Sequence, residues 1–317
     1  MDEKTITGGL FGLLVGDALG VPYEFHPAAR IPPFDQIEMT PPLGFRRAHV
    51  GVAPGTWSDD GAHALILLDS LLVNRGLDLP HLGGSVCRWL HEGFFAVNRN
   101  VFDVGAQTSS AINALMRGVP AHASGPAEAS RNGNGSLMRV LPLVLWHRGS
   151  DFDLLGLAST QSLVTHGHAR SRIACALYCA WARYVANGLP APWDTAEQLL
   201  REHAETLGFP VNEVDLVLDM SHRDQAQGTG YVVDCLWSAR IAFEQSSDYA
   251  SCVRRAIAFG NDTDTTAAVA GGLAGLRDGI DGIPVRWIDA LRGQDLVSPL
   301  LARLREHLAN PVMPNGE

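Results

Sequence analysis

Apolar positions along the chain recur with helical spacing almost from end to end, while the strict alternation of a half-buried strand is scarce. Near the start, Gly8, Gly12, Gly16 and Gly20 fall four residues apart within an apolar run. Each glycine costs a helix about 1 kcal/mol relative to alanine. Four in register therefore predict a crowded central helix with a smooth face for close packing. The run 62–76, AHALILLDSLLVNRG, is apolar nearly all round, which predicts a buried helix stopped by Gly76. A one-sided stripe of Ile173, Leu177, Ala180, Trp181 and Tyr184 predicts another, ending at Asn187-Gly188. Helical patterning also covers 195–207, 231–245, 248–259 and 285–308, and AAVAGGLAGL at 267–276 repeats the small-residue character of the first helix. Three stretches read as loops: the Pro-rich 26–56, the small and polar 119–136, and the turn-like SHRDQAQGTG at 221–230. No linker, charge block or repeat period divides the chain, so the pattern predicts one all-α domain over residues 1–317.

Composition narrows the function more than the fold. With 317 residues, 46% of them hydrophobic, the chain is long enough for a large core. A net charge of −10 and the lack of any Lys/Arg-rich run argue against nucleic-acid binding as the main task and leave room for cations. Cys87, Cys175, Cys179, Cys235 and Cys252 form no CxxC pair, and Cys175 and Cys179 read as core residues sharing a helix face. The opening MDEKTITGGLFGLLVGDALG has no basic n-region and carries Asp17 in its apolar run, so it reads as neither signal peptide nor membrane span. The expected setting is reduced and cytoplasmic.

The chemistry concentrates in two short acidic stretches. AFGNDTDTTAAVAGGLAGL, 258–276, places Asp262, Thr263, Asp264, Thr265 and Thr266 at the mouth of a helix of small residues. Helix capping uses one or two such residues, so five in a row need another reason. GTWSDDGAHALILL sets Ser58, Asp59 and Asp60 at the head of a second buried helix. Carboxylates gathered on two closely packed helices raise one another's pKa and resist burial, and a bound cation resolves the conflict. Oxygen ligands without Cys or His favour Mg²⁺, Mn²⁺ or Ca²⁺, and bridging carboxylates suit a pair of ions. DTDTT also mimics the DxDxT motif of aspartate-nucleophile phosphatases, but that motif follows an apolar strand early in an α/β domain. NGNGSLMRVLP, 132–142, is a glycine-rich loop whose backbone N–H groups and Ser136 can cradle phosphate, although no GK[ST] makes it a P-loop.

Taken in order, GLLVGDALGVPYEF, GTWSDDG, NVFDVGAQTSSAI, GNGSLMRVLP, VTHGHARSR, GTGYVVDCLWSA and GNDTDTTAAVAGGLAG resemble the ADP-ribosylglycohydrolases, including the dinitrogenase-reductase-activating type. The resemblance implies a single compact all-α domain with a dinuclear Mg²⁺ or Mn²⁺ cleft that removes ADP-ribose from modified side chains. By that resemblance Ser58, Asp59 and Asp60 form one metal-ligand set, and Asp262, Asp264 and Thr265 the other. Glu24 falls at an acidic cleft position, and Asp103 matches an aspartate that faces the substrate's cationic group in arginine-directed members. Asn134, Gly135 and Ser136 match the phosphate-binding loop, His166 a ligand-contacting histidine, and Tyr231 a ring that stacks on adenine. Gly61 departs from the pattern, standing where a threonine commonly follows the two aspartates. Without the resemblance, Glu24 reads as a surface acid, Asp103 as a helix cap, His166 as a solvated loop residue and Tyr231 as core.

The implied reaction is hydrolysis between C1″ of the distal ribose and a protein side chain, with arginine as leaving group because Asp103 offers a bidentate acceptor. Asp60, with Glu24 as the alternative, takes the proton-handling role. Other ADP-ribosyl linkages, on serine, a nucleic-acid base or a small molecule, form the enzymatic alternative. A non-catalytic relative that binds ADP-ribose or a partner, such as a toxin-neutralising factor, is the alternative outside enzymes. The expected partners are an ADP-ribosylated protein and ADP-ribose, with no membrane and with nucleic acid not expected as the main partner.

Overall fold

A computed structural model describes residues 1–310. In chain order its helices are α1 (Glu3–Gly20), α2 (Asp59–Asn74), α3 (Leu79–Glu92), α4 (Ala106–Met116), α5 (Leu141–Trp146), α6 (Asp151–Ser162), α7 (Ala169–Ala186) and α8 (Pro192–His203). They continue with α9 (Val211–Val217), α10 (His222–Gln225), α11 (Val232–Glu244), α12 (Tyr249–Ala258), α13 (Thr263–Asp278), α14 (Val285–Ala290) and α15 (Gln294–Ala309). Among the described residues no strand forms, and extended backbone pairs only at the isolated bridges Pro27–Gly260 and Gly133–Tyr231. The all-α expectation holds. The DxDxT reading loses its context, because Asp262 follows helix α12 rather than a strand.

The glycine face of α1 meets α13 in antiparallel register at backbone contact. A Cβ at Gly12 would stand 2.4 Å from the Gly271 carbonyl oxygen, and one at Gly16 would stand 2.2 Å from that of Ala267. Reciprocally, a Cβ at Gly271 or Gly275 would lie 2.5 or 2.0 Å from the carbonyls of Gly12 and Gly8. Side-chain hydroxyls lock this packing. Tyr249 donates to the Gly12 carbonyl (2.7 Å), Tyr178 to that of Val269 (3.0 Å), and Thr263 to that of Gly20 (2.8 Å). The segment Glu3–Tyr23 is long and apolar enough to cross a bilayer, yet most of it is buried inside the protein. This register sets the C-terminus of α1 against the N-terminus of α13, where Gly20 faces the backbone of Asp264.

Around that pair one core gathers side chains from α2, α5, α7, α11 and α12, with Trp57, Trp89, Trp181, Trp237 and Trp287 fully buried. Four of the five free cysteines are buried and Cys87 is half-buried. Several elements differ from the pattern-based expectation. α2 begins at Asp59 rather than residue 62, because Ser58 caps it, and it ends at Asn74 before a left-handed Arg75. The run 285–308 is divided between α14 and α15. At the break Gly293 has φ 76°, and a Cβ there would stand 2.4 Å from the Trp57 ring, so the interruption makes room for that indole. Pattern alone does not single out α3, α4, α5, α6 and α9. α5 and α9 are too short for a period to show, while α3 carries helix-weakening Gly83 and Gly84 that tertiary contact overrides.

The close approach predicts opposite effects for two glycine-to-alanine changes. Gly12→Ala should destabilise by about 1–3 kcal/mol, the usual cost of forcing a methyl into a filled core. Gly84→Ala, whose Cβ would meet nothing within 4 Å, should stabilise by about 0.5–1 kcal/mol. Urea unfolding of both variants against the parent checks the pair, and equal effects would contradict the backbone contact.

Candidate active site

Three helix ends converge on one acidic centre. The C-terminal turn of α1 carries Asp17, whose carboxylate accepts from the backbone N–H of Ser58 (2.9 and 3.0 Å) and of Gly61 (2.7 Å). Asp17 therefore clamps the start of α2 to α1, adding to the local cap that Ser58 makes on Asp60 N–H. Gly61 has no room for a threonine side chain, since a Cβ would stand 2.7 Å from Trp57 Cγ and 2.8 Å from Leu14 Cδ2. The opening residues of α13 approach the same centre. Asp262, at the N-cap position of α13, makes no capping hydrogen bond, so its carboxylate is spent elsewhere. One of its oxygens accepts from Asn134 Nδ2 at 2.9 Å.

Asp60 and Thr265 join the two acidic stretches directly. The hydroxyls of Ser58 (3.1 Å) and Thr265 (3.3 Å) both donate to Asp60 Oδ2. Asp60 Oδ1 and Asp264 Oδ2, by contrast, are buried with no hydrogen-bond partner among the described residues. Burial pushes the carboxyls of Asp59, Asp60 and Asp264 well above the usual carboxylate range, and their acidic neighbours push them further. Asp17 is pushed up to about 7 by burial, against the pull of the Ser58 and Gly61 amides. Glu24 is pushed up to about 10 by burial first and then by Asp103, Asp262 and Asp60.

Such an assembly of carboxylates is unfavourable by itself, because buried polar atoms are nearly always paired and like charges repel. It fits a cation. Glu24, Asp262 and Asp264 each bring a carboxylate oxygen within 4.8 Å of the others, and so do the ligand atoms of Glu24, His49 and Asp103. With the orphaned oxygens of Asp60 and Asp264 beside them, the donor set is dominated by carboxylate and hydroxyl oxygen, as hard divalent cations require.

Glu24 is buried rather than a surface acid, and its Oε2 lies 2.6 Å from His49 Nε2. Asp103 is half-buried on a left-handed backbone (φ 54°) and does not cap α4, whose N-cap is Gly105. Burial, then Asp262, pushes Asp103 up to about 6.

The glycine-rich loop adjoins the acidic centre through Asn134. Asn134 N–H donates to the Gly230 carbonyl (3.1 Å) and Val232 N–H to that of Asn132 (2.9 Å), which ties the loop to the residues flanking Tyr231. The N–H groups of Gly135 and Ser136 make no hydrogen bond among the described residues, and of the two residues only Gly135 is half-buried rather than buried. Ser136 is fully buried and its hydroxyl accepts from Ser162 at 2.8 Å, so its side chain is turned into the protein. His166 lies buried under the loop, where a Cβ at Gly135 would stand 2.8 Å from its ring. Its Nδ1 is 2.8 Å from the Thr165 hydroxyl, which in turn accepts from Arg139 Nη1 at 2.7 Å. Burial, then Arg139, holds the imidazole down at about 3, so it is neutral. Because Arg139 only donates, the Thr165 proton is free for His166 Nδ1, which leaves the ring's own N–H on Nε2. Tyr231 is half-buried at the rim, its hydroxyl accepting from Arg170 Nη1 (3.2 Å), while Arg170 is itself paired to Glu213.

Sequence reasoning passed over Asp17, His49, Arg139 and Gln107. Asp17 reads there only as a charge in an apolar run, and His49 lies in a stretch taken as plain loop. Gln107 accepts from Gly133 N–H at 2.7 Å, a contact made across the fold. Only the lone carboxylate of Asp17 inside an otherwise apolar helix carries a signal, since a buried charge needs partners.

A family model described as ADP-ribosylglycohydrolase matches residues 2–312. The ADP-ribosylarginine hydrolase Tri1 of Pseudomonas putida (strain GB-1) is 30% identical over 298 residues, covering 94% of this chain and 76% of its own. The ADP-ribosyl-[dinitrogen reductase] glycohydrolase of Rhodospirillum rubrum is 28% identical over 291 residues, 90% of this chain and 89% of its own. A solved structure titled as an ADP-ribosylglycohydrolase-related protein complex superposes with a TM-score of 0.75 at 30% identity, covering 96% of this chain and 98% of that one.

Asp264→Asn separates a cation ligand from a helix cap. Asn keeps the Oδ1 that accepts from Thr265 N–H (2.9 Å) and removes the charge on the orphaned oxygen. Because folding raises the Asp264 pKa, its charge weakens the metal-free fold above the ordinary value of 3.8 and not below it. The variant should therefore match the parent in stability near pH 4 and gain on it as pH rises towards 8. Saturating Mg²⁺ should stabilise the parent by about 2.7 kcal/mol at a hundredfold excess over Kd, and the variant by less than half as much. Thermal unfolding with chelator and with Mg²⁺ across this pH range checks both.

Proposed function

The chain belongs to the ADP-ribosylglycohydrolase family and is a glycohydrolase by that membership, and we propose that it releases ADP-ribose from modified arginine with the help of two divalent cations, Mg²⁺ or Mn²⁺. The observation that carries the arginine reading is the position of Asp103. Its carboxylate lies within 4.8 Å of the ligand atoms of Glu24 and His49, beside the proposed cation ligands, and no lysine or arginine of the described chain pairs with it. An acid left unpaired there suits a cation that arrives with the substrate, and a guanidinium offers parallel N–H groups to both its oxygens. The relatives named for ADP-ribosylarginine and for ADP-ribosyl-[dinitrogen reductase] support the same reading.

Ser58, Asp59, Asp60, Asp262, Asp264 and Thr265 would hold the cations. When bound, these would supply positive charge that holds the vicinal hydroxyls of the distal ribose and fixes the geometry of attack. The chain's own groups do the rest. The loop at Asn134–Ser136 receives the diphosphate at the unpaired N–H of half-buried Gly135, with His166 beneath it, and the Tyr231 ring receives the adenine. Asp103 fixes the guanidinium. Asp60, wholly buried with both hydroxyls on one oxygen, moves the proton between water and the departing nitrogen, and Glu24, which touches His49, is the alternative. In sum, water adds OH to C1″ and its other hydrogen goes to the guanidine nitrogen, while neighbouring carboxylates stabilise oxocarbenium character. Five free cysteines suit a reducing, cytoplasmic setting.

Two measurements test the proposal. Chelator-treated protein should release no ADP-ribose from an ADP-ribosylarginine peptide, and Mg²⁺ or Mn²⁺ should restore release; full turnover without metal would refute the two-cation centre. Asp103→Asn should lower kcat/KM for that peptide roughly 10- to 100-fold, the worth of a hydrogen bond to a charged group, and leave the Kd of free ADP-ribose within about twofold. Equal losses for both ligands would place Asp103 against ADP-ribose itself, and faster release from ADP-ribosylserine than from ADP-ribosylarginine would favour another linkage.

A further inference from the structure

Four non-glycine residues with left-handed backbone surround the acidic centre: Phe25 (φ 61°), His49 (φ 47°), Asp103 (φ 54°) and Asn261 (φ 60°). Asn and Asp tolerate that region, whereas a phenylalanine is strained there. Phe25 is held in it by its surroundings. Its N–H donates to the Asn261 carbonyl (2.8 Å), Asn261 N–H donates back to the His26 carbonyl (2.7 Å), and Pro27 bridges to Gly260.

The result of this clamp is an aromatic ring that is 69% exposed, next in sequence to the buried Glu24. The ring does not stand alone. Its centroid is 5.5 Å from that of His49, tilted by 52°, and Phe102 lies 5.1 Å from His49, also tilted. His49 bonds Glu24, and its ring nitrogen is within 4.8 Å of an Asp103 carboxylate oxygen. An exposed aromatic surface therefore borders the carboxylates at the point where Asp103 is unpaired. Aromatic faces attract planar cations, and arginine stacks on them more readily than lysine does.

We infer that Phe25 is a specificity determinant on the leaving-group side, its ring receiving the guanidinium and aliphatic stem of the substrate arginine while Asp103 accepts that group's N–H bonds. The inference rests on the arginine reading proposed above and adds the surface that recognises the side chain. Strain at Phe25 then has a use, since a relaxed backbone there would not hold the ring at the mouth of the centre.

The test uses the full chain with saturating Mg²⁺ and three variants, Phe25→Leu, Phe25→Trp and Phe25→Asn. Asn suits the left-handed backbone, so Phe25→Asn should unfold no earlier than the parent. It should still lose about tenfold in kcat/KM on an ADP-ribosylarginine peptide, within the range of a cation–π contact. That loss should appear as a raised KM. Phe25→Leu should lose nearly as much, and Phe25→Trp should retain parental kcat/KM. The Kd of free ADP-ribose, which lacks the guanidinium, should stay within about twofold throughout. Retained kcat/KM in Phe25→Leu or Phe25→Asn would overturn the contact, and so would an equal loss of ADP-ribose affinity, which would put the ring against the nucleotide. A parent protein that binds ADP-ribose but leaves ADP-ribosylarginine intact would instead refute the arginine reading, and the assignment of Phe25 would fall with it.

Discussion

Everything at the acidic centre depends on the backbone contact between α1 and α13. With no side chains between Gly8 and Gly275, or Gly12 and Gly271, the two helices cannot slide without driving carbonyl oxygens into Cα atoms. Longer residues would leave a cushion of rotamers, and the register would soften. Here it is fixed by hard atoms; Thr263 bonds across to the Gly20 carbonyl, and Tyr249 and Tyr178 brace the carbonyls of Gly12 and Val269 from neighbouring helices. The N-terminus of α13 is thereby delivered to the last turn of α1, and Asp17 extends the same constraint to α2.

That rigidity allows an arrangement that would otherwise relax away. Asp59, Asp60, Asp264 and Glu24 are each disfavoured as anions by burial and by one another. The N-terminal ends of α2 and α13 offer some compensation through their backbone dipoles, yet two carboxylate oxygens remain orphaned. The surrounding apolar core supplies the stability against which this local cost is held. A bound cation would convert the repulsion into binding energy.

In the function proposed above, two sides of the site divide recognition by charge. On one side the loop at Gly133–Ser136, with the Gly135 N–H unpaired, lies over a neutral His166 and a buried Arg139 whose acceptors are all uncharged. That side suits a diphosphate. On the other side Glu24 and Asp103, edged by Phe25, His49 and Phe102, suit a cation. On the proposed arginine reading, a substrate with a diphosphate at one end and a guanidinium at the other would meet the site in one orientation only.

Sequence by itself determined the helical class, the crowded glycine helix and the two acidic stretches. Periodicity is a local property, and five oxygen-bearing residues in a row exceed what a helix cap can use. It also located the glycine loop and, through the order of the motifs, the family. Tertiary structure alone decided that Glu24 is buried, that Asp17 caps a helix other than its own, and that His49 reaches Glu24 from a stretch without periodic pattern. It likewise turned the Ser136 hydroxyl inward and broke the 285–308 run at Gly293 to seat Trp57. Each of these rests on a contact between residues far apart in the chain, and spacing along a sequence reports only what neighbours do. The acids announce themselves because they cluster, whereas the groups that position them are single residues whose partners only the fold supplies.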